Sequence, residues 1–296
     1  MENTNLPITN LILQGGGVKG IAYVGALEVL DEVQILDKIQ NVAGTSAGAI
    51  TACLLALRYS AAEIRKIVFD LDFKSFQDRK NPLRIATKYG LYAGDAFLEW
   101  ITNLIEKKGF DKQATFSDLK QGGCRNLKVF GTDLYTKSVQ EFSAASTPDT
   151  IVAEAVRASM SIPLFFKSWK FSNAKPNDHI YVDGGVILNF PINSFFEEEH
   201  ELGHTLGLHL DNLSNQNIRD DFDYDHIGKY VKSLFDTLLK AQVVIFEENP
   251  EQKRRTICID DLGVSATNFE LSDELKNNLI TQGKKATKAF FTKSNT

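Results

Sequence analysis

The chain has 296 residues, 43% of them hydrophobic and 24% charged, with a formal net charge of −5. This length gives ample core for one large α/β domain or two small ones, and the composition is that of an ordinary globular protein. The acidic balance argues against nucleic acid as the main partner, and no apolar run is long enough to span a bilayer.

Leu11-Ile12-Leu13 is a short apolar run without alternation, as expected for a strand covered on both faces. Gly15-Gly16-Gly17-Val18-Lys19-Gly20 follows at once. Val24, Leu27 and Leu30 then recur at helical spacing, which predicts a helix over 21–33. A second buried strand ends at Val42-Ala43, and residues 47–57 form a mostly apolar run of good helix formers. The order strand, helix, strand, helix implies right-handed crossovers and a mainly parallel sheet between helical layers.

Residues 70–94 break the pattern. Phe73, Phe76, Tyr89 and Tyr92 are mixed with Lys74, Arg79, Lys80, Arg84 and Lys88, and Pro82 and Gly90 interrupt them. The plainer reading is an irregular insertion with some core aromatics; the alternative is a lid or membrane-facing edge. A helix is expected over 95–107, a strand over 127–131 paired with 139–142, a helix over 150–158 and a strand over 180–182. Leu206, Leu208 and Leu210 alternate with Thr205, Gly207 and His209, which is a strand period. Ile227, Tyr230, Val231, Leu234, Leu238 and Leu239 form one helical stripe. A last strand over 256–259 precedes a final helix capped at Ser272, with Lys284, Lys285 and Lys288 suited to its far end. No repeat or linker stands out, so a single domain over 1–296 is expected.

Three motifs carry chemistry. Gly44-Thr45-Ser46-Ala47-Gly48 fits G-x-S-x-G, which holds a serine on a sharp turn between strand and helix. Gly44 and Gly48 permit the tight bend and close approach; the plainer reading makes Ser46 an ordinary helix cap. Gly15, Gly17 and Gly20 also match the dinucleotide pattern G-x-G-x-x-G, but that site needs a carboxylate at the end of the second strand, where Ala43-Gly44-Thr45-Ser46 has none. The same glycines suit an oxyanion hole, because both loops leave one edge of a parallel sheet. Asp183-Gly184-Gly185 at a strand end is either a common turn or the base for Ser46, which would require a desolvated carboxylate with a raised pKa.

His200-Glu201-Leu202-Gly203-His204 fits the zinc-protease string H-E-x-x-H. The third ligand would fall at Leu210, with His209 one place early, and the strand alternation leaves no room for the helix to continue. A zinc hydrolase therefore stays as the alternative reading, beside a non-catalytic lipid-binding protein. A histidine triad drawn from His200, His204, His209 or His226 has nothing in the sequence to select it.

Taken together and in order, Gln14 to Gly20, Gly44 to Gly48 and Asp183-Gly184-Gly185 resemble the patatin-like phospholipases. Ala158-Ser159-Met160-Ser161-Ile162-Pro163 is similar to the family's segment before the Asp-Gly-Gly strand. Gly263-Val264-Ser265 and Leu271-Ser272-Asp273 are similar to its C-terminal part. The resemblance implies a three-layer α/β/α sandwich and hydrolysis of lipid acyl esters, commonly phospholipids, with no cofactor or metal. It implies Ser46 as nucleophile, Asp183 as base, Gly15, Gly16 and Gly17 as oxyanion hole, and Lys19 at a position the family fills with Arg or Lys. The expected partner is a lipid substrate at a membrane surface; no motif speaks for or against a protein activator. The start of the chain lacks the basic-then-apolar pattern of a signal peptide, and Cys53, Cys124 and Cys258 are few, odd in number and far apart. A cytoplasmic location, or export without such a signal, is expected.

Overall fold

The computed structural model describes residues 8–195, 204–213 and 227–293. The chain opens with β1 (Asn10–Leu13), a 3-10 turn at Gly17–Ile21, α1 (Ala22–Glu32), β2 (Asn41–Thr45), α2 (Ala47–Ala56) and α3 (Ala61–Phe69). Next come α4 (Leu83–Lys88), β3 (Gly90–Tyr92), α5 (Asp95–Lys107), α6 (Phe116–Gln121), β4 (Asn126–Asp133) and β5 (Ser138–Ser143). The remainder is α7 (Val152–Ser159), β6 (Leu164–Phe166), β7 (Tyr181–Asp183), β8 (Thr205–Asp211), α8 (Ile227–Glu247), α9 (Pro250–Arg254), β9 (Thr256–Asp260) and α10 (Asp273–Lys293).

The main sheet is ordered β5-β4-β2-β1-β8-β9, with β7 also paired to β4. β4, β2, β1, β8 and β9 run parallel; β5 and β7 are antiparallel to β4. The sheet is thus mixed, mainly parallel and flanked by helices, as expected. Its period of two sorts the core. Leu11, Leu13, Val42, Leu206, Leu208 and Leu210 join the larger cluster with α1, α2 and α7. Ile12, Ala43 and Phe130 point the other way, onto Ile192 and Phe195.

One detail of register decides where the site falls. β2 pairs with β4 only as far as Thr45 opposite Phe130. There the chain leaves the sheet, and β7 takes over the vacated edge of β4, with Asp183 opposite Gly131. β2 runs up that edge and β7 runs down it, so their C-terminal ends meet at adjacent residues of β4. Ser46 and Asp183, 137 positions apart in sequence, are brought together by two neighbouring rungs of one ladder.

Residues 70–94 are knitted into the structure rather than looped out. Phe76 is buried edge-on against Phe97 and Trp100. β3 pairs in parallel with β6. The Asp78 carboxylate caps α5 by accepting from the amides of Gly94, Asp95 and Ala96. The fully buried Arg157 donates to the carbonyls of Ala93, Gly94 and Lys167 and to Ser161 Oγ. Burial pulls its pKa down to about 10, against the raising influence of Asp95 and Asp78. Leu83 and Tyr89 are the exposed apolar residues of this segment.

One sequence expectation needs correction, and the facing of one helix is added by the structure. Lys284 and Lys288 do not serve a helix end, because α10 continues to Lys293; they pair with Glu28 and Glu32 of α1. The apolar stripe of α8 is not all core. Tyr230, Leu234 and Leu238 are 53%, 49% and 40% exposed, while Phe235 and Phe246 point inward. The helix is wide enough in apolar residues to offer two faces, and among the described residues one of them is buried against protein while Tyr230, Leu234 and Leu238 are exposed.

Candidate active site

Ser46 sits on a strained turn. Its φ of 53° and ψ of −124° lie where L-residues rarely go, which lifts the side chain out of both β2 and α2. Small neighbours make this bend feasible. A Cβ on Gly44 would overlap the carbonyl of Gly48, and one on Gly48 would overlap the carbonyl oxygen of Leu13. The Ser46 amide donates to Ser159 Oγ at 2.8 Å, and Ser159 in turn donates to the Phe130 carbonyl at 2.6 Å. That side-chain bridge ties the elbow to the end of α7.

The Ser46 hydroxyl donates to Asp183 Oδ2 at 2.8 Å. The second oxygen, Oδ1, accepts from the Gly185 amide at 2.7 Å. The Asp183 amide donates to the Ser161 carbonyl at 2.9 Å. Asp183 is fully buried and Ser46 only 5% exposed. Burial pushes the Asp183 carboxyl up to about 7, against the lowering pull of the Gly185 amide and the Ser46 hydroxyl. An aspartate in water would be a feeble base; one poised near neutrality can take a proton and return it.

The glycine loop adjoins this pair. A Cβ on Gly15 would stand 3.1 Å from that of Ser46. The Gly15 amide is already bonded, to the Asn189 carbonyl at 2.9 Å. The amides of Gly16, Gly17 and Ala47 have no hydrogen-bond acceptor among the described residues. Gly17 adopts φ 55°, a conformation that favours glycine, and Ala266 closes the space a side chain would need. Lys19 forms a 2.7 Å ion pair with Asp261.

Two cavities of about 380 Å³ each lie near these segments, the first reaching Gly15 and the second the residues after the Asp-Gly-Gly turn; neither is lined by Ser46 or Asp183. One is polar, lined by Gly15, Lys19, Lys240, Asp211 and Asp261 among others. The other is mainly apolar, lined by Phe130, Ile187, Leu188, Phe190 and Phe246.

None of the described histidines bonds to Ser46 or Asp183. His209 is buried with Nε2 against the Gln14 amide nitrogen at 3.0 Å and its ring stacked on Phe246. Burial, then Lys19, pulls its pKa down to about 3, so it is neutral. His179 pairs with Asp133. Of the zinc string, His200 and Glu201 lie outside the described residues, as does His226; His204 is half-buried at the start of β8. Among the described residues no three His, Cys, Asp or Glu side chains are grouped as a metal would require.

The profile of the patatin-like phospholipase family matches residues 11–196. The chain belongs to that family. A relative from Bacillus subtilis, the uncharacterized protein YqhO, is 35% identical over 297 residues, covering 94% of this chain and 96% of its own. Triacylglycerol lipase 4 of Saccharomyces cerevisiae is 26% identical over 234 residues, 70% of this chain and 25% of that protein. Among solved structures, VipD from Legionella pneumophila superposes with a TM-score of 0.64 at 19% identity, over 96% of this chain and 66% of that one. This last likeness speaks to the patatin-like fold alone.

Three residues at the site carried little sequence signal of their own. Ser159 lay inside a segment notable only for its family resemblance. Asn189 follows the Asp-Gly-Gly turn without any motif. Gln242 is a lone carboxamide in an apolar stretch, Ala241 to Phe246, which is the one cue it offered.

Proposed function

We propose that this chain is a lipid acyl hydrolase of the phospholipase A type, working through a Ser46–Asp183 dyad and an acyl-enzyme. The observation that carries the reading is the 2.8 Å hydrogen bond between Ser46 Oγ and a fully buried carboxylate with a raised pKa. Asp183 takes the hydroxyl proton as Oγ attacks the ester carbonyl. The amides of Gly16 and Gly17, with Ala47 at the start of α2, receive the negative charge on the carbonyl oxygen. Gly15 contributes a close backbone approach to Ser46 and Asn189 that a side chain would block, rather than its amide, which is bonded elsewhere. The leaving alcohol takes the proton from Asp183. Asp183 then draws a proton from water, which attacks the acyl-enzyme; as the bond to Oγ breaks and the fatty acid is released, Asp183 returns that proton to Ser46 Oγ. No step requires a histidine.

The cavities favour a lipid with a polar end. The apolar one suits an acyl chain, and the polar one, beside Lys19 and Gly15, suits a head group. No helix among the described residues is long and apolar enough to cross a membrane. A membrane-facing side is nevertheless indicated by where exposed apolar residues fall. Leu134 and Tyr135 follow β4, Ile187 follows the Asp-Gly-Gly turn and Leu213 follows β8, while Tyr230, Leu234 and Leu238 lie on α8. These segments leave the edge of the sheet that carries the dyad, so that edge meets the bilayer.

The test is hydrolysis of phosphatidylcholine vesicles and of a short-chain water-soluble ester. Wild-type protein should release fatty acid from both, and Ser46→Ala should release none while unfolding at the wild-type temperature. A folded Ser46→Ala variant that retains turnover contradicts the reading.

A further inference from the structure

The oxyanion loop and the base turn are joined by carboxamides rather than by direct contact. Gly15 is held at both ends by Asn189, whose carbonyl accepts from the Gly15 amide at 2.9 Å and whose Nδ2 donates to the Gly15 carbonyl at 3.2 Å. The Asn189 amide donates to Gln242 Oε1 at 2.7 Å, and Gln242 Nε2 donates to the Gly185 carbonyl at 2.7 Å. Gly185 is the residue whose amide anchors Asp183 Oδ1 at 2.7 Å. Gln242 belongs to α8, and Leu239, one turn earlier, packs on Gly185 as well. A continuous path therefore runs from the glycine loop through Asn189 to Gln242, and from Gln242 through Gly185 to the base.

The chemistry of the side chain fits the task. One end of the path requires an acceptor and the other a donor, and a carboxamide offers one of each at fixed separation. A carboxylate would set a negative charge against the Gly185 carbonyl, and an apolar side chain would leave two backbone groups without partners. The Gly185 N–H that the base feels and the Gly185 carbonyl that Gln242 holds lie in successive peptide planes joined at one Cα. Holding the carbonyl restrains backbone rotation at Gly185 that would turn the N–H away from Oδ1, while Oδ2 faces Ser46.

We infer that Gln242 is a positioning residue for the reaction: from α8 it holds the oxyanion loop and the Asp183 turn in one geometry, so that seating of α8 governs how fast Ser46 reacts. The inference rests on the dyad reading above and goes beyond it, because it assigns a role to a helix that supplies no reacting atom. Regulation of the site would then act through whatever seats or lifts α8.

Gln242→Met separates positioning from packing, since it keeps the shape and removes both hydrogen bonds. Full-length wild type, Gln242→Met and Gln242→Glu would be compared on a short-chain water-soluble ester from pH 5 to pH 9, with thermal unfolding and the rate of Ser46 phosphonylation by a fluorophosphonate. The expected result for Gln242→Met is a kcat lowered at least tenfold, a KM within twofold of wild type and a slowed phosphonylation. The rising limb of its kcat/KM profile should move to higher pH, because a carboxylate with a weaker N–H anchor holds its proton longer. Gln242→Glu should be lowered as well, although it retains an acceptor for Asn189. Full activity in Gln242→Met overturns the inference. So does a loss that tracks a lowered melting temperature with the pH limb unmoved, which is what a merely structural role produces. Should Gln242→Met fail to fold, the same readings on Gln242→Glu decide. Wild-type protein with neither turnover nor labelling overturns the dyad reading and this inference together, whereas an active wild type beside an unaffected variant overturns the inference alone.

Discussion

The Ser46 elbow and α8 both border the reaction centre, yet they are held in opposite ways. The elbow is locked by contacts that leave no slack: Gly44 against Gly48, Gly48 against Leu13, and the Ser46 amide on Ser159. α8 reaches the same centre through the carboxamide of Gln242 and the side chain of Leu239, and turns Tyr230, Leu234 and Leu238 to solvent. A strained backbone persists only where its surroundings over-determine it, and the strained Ser46 sits in the rigid region. Access and control can reside in the less tightly held one.

Substitutions can break this contrast, beginning with the largest effect. Removing the hydroxyl in Ser46→Ala, or the base in Asp183→Asn, should lower turnover by at least about a thousandfold, measured on vesicles or a soluble ester. Next, Gly48→Ala should strike the fold rather than the chemistry alone. A Cβ there overlaps backbone that cannot retreat, so a stability loss of about 1–3 kcal/mol or more is expected in chemical denaturation.

The buried carboxylate gives a pH test with a definite sign. Its folded pKa of about 7 lies above the ordinary aspartate value, so the native state binds more protons than the unfolded chain between roughly pH 4 and pH 7. Its contribution to stability is therefore full below that window and is lost as pH rises through 7. Asp183→Asn should make the protein more stable than wild type above pH 7, by an amount on the order of 4 kcal/mol at most, and should flatten that part of the stability profile. Activity moves the other way: kcat/KM should climb as pH rises toward 7, because the base must be ionised to accept the Ser46 proton.

The smallest effect on stability belongs to the outer face of α8. Leu234→Ser with Leu238→Ser should change unfolding free energy by less than about 0.5 kcal/mol per site, as exposed positions do. Turnover of vesicles should fall several-fold while turnover of a soluble ester holds. Equal loss on both substrates would show that the outer face belongs to the catalytic apparatus. Phe76 is no substitute for this experiment, because it is buried against Phe97 and Trp100 and its replacement would damage the core.

How much of this could be read from the chain alone follows the same division. The strand–turn–helix around Ser46 was legible because its signals are local: an apolar strand, two glycines and a helix-forming run adjoin one another. Thr205–Asp211 was legible for a similar reason, since strict alternation over seven residues has one interpretation. The union of Ser46 with Asp183 was only implied, because it depends on β7 replacing β2 along the edge of β4, a matter of register between distant segments. The helical stripe of α8 was legible, but its facing was not. Periodicity tells which residues share a stripe, not whether protein lies opposite. Asn189, Ser159 and Gln242 act through backbone groups of other segments, and such partners leave no pattern in the sequence.

The central claim is that Ser46 is the nucleophile and Asp183 its base. The most direct measurement is the site and rate of fluorophosphonate labelling, read by peptide mass spectrometry, in wild type, Ser46→Ala and Asp183→Asn. A single adduct on Ser46 in wild type, none in Ser46→Ala and a greatly slowed one in Asp183→Asn is the predicted result. Labelling at another residue, or a rate indifferent to Asp183, would contradict it.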